Sequence, residues 1–84
     1  MLQLDELPDG VPARVVRLDA VDGLAARMRA LGLRPGRELA VVRRSRLGGP
    51  LQIRVGTTDF IIRPHDARLV AVEPVDEPDR TGPR

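Results

Sequence analysis

The chain has 84 residues, with fourteen basic and twelve acidic side chains, a net charge of +2, no cysteine and a single aromatic residue, Phe60. One small domain fits this length, disulfides and thiolate metal sites are excluded, and no apolar run approaches the roughly 20 residues of a membrane-spanning helix. Every basic residue is arginine, so the pI of 10.9 reflects residue type rather than a large positive excess. Arginine without lysine, beside abundant alanine, valine, glycine and proline, resembles the composition of a gene from a G+C-rich genome and lowers the functional weight of any one arginine.

The acidic N-terminus, Met1-Leu2-Gln3-Leu4-Asp5-Glu6, lacks the basic start of a secretory signal peptide, and the chain is expected to be cytoplasmic. A lead-in over residues 2–10 ends in the turn signal Pro8-Asp9-Gly10. A strand follows from Ala13 to Leu18. Leu24, Met28 and Leu31 then recur at helical spacing, with Asp22 at the expected N-cap and Gly32 as the C′ glycine. That stop places Leu33 at C″ and Met28 at C3, the apolar contact of a Schellman motif. Pro35-Gly36 supplies the two central positions of a type II turn, and a second strand runs from Glu38 to Arg44. The two turn-and-strand units echo each other: Gly10 precedes Val15-Val16-Arg17 by five residues, as Gly36 precedes Val41-Val42-Arg43.

Leu47-Gly48-Gly49-Pro50 breaks the chain, after which Leu51, Ile53 and Val55 alternate with polar residues up to the turn Gly56-Thr57. Phe60 and Ile62 continue the alternation, leaving Ile61 on the outward parity. Pro64-His65-Asp66-Ala67 reads as a tight turn and Leu69 to Val72 as a last strand buried on both faces. From Glu73 onward proline, acid and glycine predict an unstructured tail. The whole predicts a mainly β fold: a small five-stranded barrel over residues 1–73, one short helix inserted after the first strand, and a tail over 74–84. A sandwich of four strands or a split barrel also fits. The expected core is Val15, Leu24, Met28, Leu31, Leu39, Val41, Ile53, Val55, Phe60, Ile62, Leu69 and Val72.

Three segments carry a family resemblance: Leu4-x-x-Leu7-Pro8-x-Gly10-x-x-Ala13-x-Val15, then Leu31-Gly32-Leu33-x-Pro35-Gly36, then Leu47-Gly48-Gly49-Pro50-Leu51-x-Ile53. Together with Ile62-Arg63-x-x-x-Ala67 they resemble the FeoA family over about residues 4–73. The sequence departs from that pattern at Gly49, where an acidic residue is usual, and at His65, where a basic or small polar residue is commoner. The resemblance implies an SH3-like barrel that serves ferrous iron uptake as an accessory of FeoB, a membrane transporter with a cytosolic GTP-binding domain. The chain would then meet the membrane only through that partner. The same module forms the C-terminal domain of metal-dependent repressors of the diphtheria toxin repressor type, which leaves a regulatory or nucleic-acid-binding module as the alternative.

With one histidine, one serine and no cysteine or tyrosine, few nucleophile–base pairs are available, and the chain is expected to be non-enzymatic, with no catalytic residue and no cofactor. His65 and Asp66 are weak metal candidates; a surface turn explains them more simply, and no metal site is expected. Arg43, Arg44 and Arg46 form a basic cluster, but nucleic acid is not expected, because single-strand binders offer aromatic platforms and the one phenylalanine belongs to the core. The same lack of tyrosine and tryptophan argues against a proline-rich ligand. The expected partner surface is Leu24, Arg27, Met28, Leu31 and Leu33, with Met28 and Leu31 over the barrel mouth and Arg27 and Leu33 at its rim. Outward Ile61 and Val70 or Val72 suit self-association as well as a transporter contact.

Overall fold

The structure, a computed structural model, describes residues 1–75. Strands β1 (Leu2–Gln3), β2 (Ala13–Leu18), β3 (Glu38–Arg44), β4 (Leu51–Val55), β5 (Thr58–Ile62) and β6 (Val70–Pro74) form one antiparallel sheet in the order β1-β6-β2-β3-β4-β5. Helix α1 (Asp22–Ala30) joins β2 to β3, and one helical turn, α2 (Pro64–Ala67), joins β5 to β6. The fold is thus mainly β, with one more strand and one more helix than expected. Both additions are too short to show a period: β1 is a two-residue pairing with Val72 and Ala71, and α2 is one turn started by Pro64, whose fixed φ suits the first helical position. β6 runs through Glu73 to Pro74, with Val75 N–H bonded to Pro12 O, so Glu73 belongs to the sheet. The rest of the expected tail, residues 76–84, lies outside the described residues.

The echo between the two turn-and-strand units is a local two-fold relation in space. Ala13 of β2 pairs with Leu39 of β3, its counterpart in the second unit. β2 carries a bulge at Val16 in its ladder with β6, and β3 a bulge at Val42 in its ladder with β4. Each bulge bends its strand sharply, which curls a short sheet around one core. The relation extends outward: β6 matches β4, and β1 matches β5, since Leu2 and Gln3 face β6 as Phe60 and Ile61 face β4.

Helix α1 ends as expected. Leu33 N–H bonds to Met28 O at 2.9 Å and Gly32 N–H to Arg29 O at 3.0 Å, the two bonds of a Schellman motif. Its start differs: Val21 is the N-cap, and Asp22 is the first helical residue, with φ +53 and no side-chain cap. Aspartate tolerates that left-handed conformation, and its charge still lies at the positive end of the helix dipole.

The core holds Val15, Met28, Leu39, Val41, Ile53, Val55, Ile62 and Val72 as expected. Leu24, Phe60 and Leu69 are only half-buried, and Leu31 is 42% exposed because it caps the helix rather than continuing its buried face. Leu4 and Leu7 are fully buried instead. A 3-10 turn over Leu4–Glu6 aligns them, as residues three apart eclipse in that geometry. Val70 and Val72, considered as outward residues, are fully buried because β6 runs between β1 and β2.

Candidate partner-binding groove

The Schellman stop turns the chain so that Leu33 drops beneath α1, and the Gly56-Thr57 hairpin returns β5 alongside the helix C-terminus. Between them lies an open groove of about 200 Å³ lined by Leu24, Arg27, Met28, Leu31, Leu33, Phe60, Ile61, Ile62, Arg63 and Asp66. All five residues of the expected partner surface therefore line one groove. Two roles are exchanged relative to expectation: Leu31, expected over the barrel mouth, stands exposed at the rim, and Leu33, expected at the rim, is fully buried and forms the floor with Met28 and Ile62, because the Schellman contact draws it under the helix. Leu24 and Phe60 are half-buried walls. Leu31, Ile61 (65% exposed), Arg27 and Arg63 form the rim.

The second wall joins Ile61, expected as an outward contact residue, to the helix face in one groove, a juxtaposition the sequence does not show. The wall's own signal was Ile61, an isoleucine on the outward parity of an alternating strand, with Arg63 two residues on at the same parity. Ile61 points to the outer face of the sheet, opposite the half-buried Phe60 and buried Ile62, and β5 is an edge strand among the described residues, so one side of its backbone is unpaired as well.

Among the described residues five arginines pair with carboxylates: Arg14 with Glu38, Arg17 with Asp19, Arg44 with Asp9, Arg54 with Asp59 and Arg68 with Asp5. Arg27 and Arg63 have no carboxylate within ion-pair distance among the described residues. The groove thus combines an apolar floor with the Arg27 and Arg63 guanidinium groups, unpaired among the described residues, and the half-buried Asp66 carboxylate. Such a site can desolvate a few apolar side chains and attract acidic neighbours at its rim.

The structure divides the basic cluster. Arg44 is half-buried, and its guanidinium binds Asp9 Oδ1, Asp5 O and Leu7 O, tying the lead-in to the end of β3. Only Arg43 and Arg46 face solvent. Beyond them Leu47 stands fully exposed at the loop tip with φ +62. His65 and Asp66 lie in α2, His65 exposed. Among the described residues no three histidine or carboxylate side chains are grouped to hold a metal ion, and no helix is long and apolar enough to cross a membrane.

Residues 2–74 match the model of the FeoA domain family. The iron(II) transport protein A of Clostridium thermocellum is 34% identical with a TM-score of 0.84 over 88% of this chain, which spans only 46% of that protein's length. FeoA of Stenotrophomonas maltophilia, solved with zinc and described as a prokaryotic SH3 domain protein, is 35% identical with a TM-score of 0.76, over 87% of this chain and 91% of its own. ScaR, solved with bound zinc, superimposes with a TM-score of 0.78 over 89% of this chain and 37% of its own; at 16% identity this shows a shared fold alone. A search of curated proteins found no match.

Proposed function

This chain belongs to the FeoA domain family, and from that premise we propose that it is a small cytoplasmic, non-enzymatic accessory of ferrous iron uptake that works by protein contact with a FeoB-type membrane transporter. The observation that carries the contact is the α1/β5 groove, where apolar residues stay partly exposed beside two arginines without ion-pair partners among the described residues. A marginal domain of this size would gain stability by covering Leu31 and Ile61, so their exposure favours a partner that covers them. The transporter's cytosolic GTP-binding domain is the proposed partner. Iron is the transporter's cargo in this account; His65 and Asp66 gather no third ligand among the described residues, and no resident metal is assigned.

The test is interferometry with the full chain and the transporter of the same organism, with GDP, with a non-hydrolysable GTP analogue and without nucleotide, beside a labelled RNA. Saturable binding to the transporter is expected, with none to RNA near physiological salt. RNA binding without transporter binding would overturn the proposal in favour of a nucleic-acid module.

A further inference from the structure

Resting on the groove's role in partner binding, we propose that the partner enters as an extended acidic and apolar segment that adds a strand to the free edge of β5. The backbone determines which groups are available. Gly56, with φ +61, is the first central residue of the two-residue turn between β4 and β5, which marks a type II′ hairpin closed by the bonded pair Val55–Thr58. Antiparallel alternation then makes Ile53–Phe60 and Leu51–Ile62 the bonded pairs. The backbone N–H and C=O groups of Asp59 and Ile61 consequently face away from β4. Neither residue's backbone has a bond outside the ladder among the described residues.

The opposite edge of the sheet supplies an internal control. Gln3 of β1 occupies the place that Ile61 holds in β5, and its N–H also points away from the sheet. There it donates to Glu6 Oε1 at 2.8 Å, so that edge is closed by a carboxylate and carries a polar side chain, the usual protection of an edge strand. β5 has the reverse arrangement at the same place, an open amide and an isoleucine 65% exposed. Strand addition uses both features, main-chain bonds for affinity and alternate side-chain contacts for specificity.

Charge selects the occupant. Arg27 and Arg63 flank the apolar floor without carboxylate partners among the described residues, against one lining carboxylate, the half-buried Asp66, so the groove's charge is net positive and the added strand carries acidic residues beside its apolar ones. A second copy pairing β5 with β5 would offer Asp59 as its acidic residue, and Asp59 already accepts from Arg54 and Gln52. Residues 76–84 of this chain hold Asp76, Glu77 and Asp79 but, apart from Pro78 and Pro83, which lack the backbone N–H a strand needs, no apolar side chain to fill the groove.

The test is residue-resolved, quenched hydrogen exchange of the full-length labelled chain with and without the detergent-solubilised transporter. In the free chain the Asp59 and Ile61 amides should exchange readily while Phe60 and Ile62 are protected. In the complex Asp59 and Ile61 should slow by about tenfold or more, with Gln3 unchanged. Ile61→Pro, which removes an outward amide, should weaken binding at least about tenfold, and Ile61→Val should change it less than about twofold. If Ile61→Pro fails to fold, the wild-type exchange result decides. Binding that depends on Leu31 but leaves Asp59 and Ile61 unprotected would overturn strand addition while the groove's role stands. Complete absence of binding would overturn that role and this inference together. Protection that grows with the chain's own concentration, without transporter, would assign the edge to a second copy and contradict the proposal.

Discussion

The N–H of Gly10 donates to the carbonyl of Val41 at 2.8 Å, and the N–H of Gly36 donates to the carbonyl of Val15 at the same distance. Each turn glycine thus anchors the first valine of the other unit's Val-Val-Arg strand. The recurring sequence is a pair of interlocked turns that sets the β2–β3 ladder at the centre of the sheet, with β6 and β4 on either side.

Gly36 holds φ +91 with open space where a Cβ would stand, so Gly36→Ala should cost only the backbone strain of a left-handed alanine, about 1–2 kcal/mol. Gly32→Ala, at φ +98, also meets Val55 Cγ1 at 3.2 Å and should cost more. Urea midpoints of the two variants check the order; a Gly36→Ala variant as stable as wild type would contradict the left-handed conformation at Gly36 on which the second turn depends.

Arg44 holds the lead-in through Asp9 Oδ1 at 2.8 Å, Asp5 O at 2.8 Å and Leu7 O. Arg44→Ala should destabilise the fold by about 2 kcal/mol, the scale of hydrogen bonds to a charged group, and loosen buried Leu4 and Leu7. Arg44→Lys should recover less than half of the loss, because an ammonium cannot reproduce the planar fork. Thermal unfolding of both variants checks this, and full recovery by lysine would show that charge alone suffices.

Much of this fold was legible from punctuation. Gly32 and Pro35-Gly36 announced the helix stop and the type II turn because these conformations demand particular residues, and the bonds from Leu33 to Met28 and from Arg37 to Arg34 are present. β1 and α2 were not legible, since two and four residues are too few to display a period. Leu4 and Leu7 were missed as core because their alignment depends on a 3-10 turn and on Arg44, a contact made across the fold. The helix wall of the groove followed from its 3.6-residue spacing. The β5 wall needed the sheet order, which decides that Ile61 lies on an edge.

Asp59 lies below the ordinary aspartate range, first because Arg54 donates to it at 2.7 and 2.9 Å, with Gln52 adding a bond at 3.0 Å against the opposing effect of desolvation. A depressed folded value means the interaction stabilises fully above the ordinary aspartate value and is lost as pH falls through the lowered one. In Arg54→Ala the Asp59 carboxyl, followed by NMR, should titrate at higher pH than in wild type. An unchanged midpoint would remove Arg54 as the cause.

Ferrous or zinc ions should bind the purified chain no more tightly than about millimolar, since His65 and Asp66 alone make a poor site. Calorimetry should give the same result for His65→Ala. A tight stoichiometric site lost in that variant would require a metal role that this account does not assign.

The most direct measurement is transporter affinity for three versions of the full chain: wild type, Leu31→Glu at the groove rim, and Leu47→Glu at the exposed loop tip outside the groove. Both leucines are exposed, so folding should survive in each, as circular dichroism would verify. The account predicts that Leu31→Glu loses affinity by at least about tenfold while Leu47→Glu stays within about twofold of wild type. Unchanged binding by Leu31→Glu, or a larger loss in Leu47→Glu, would contradict the claim that this protein meets its partner through the α1/β5 groove.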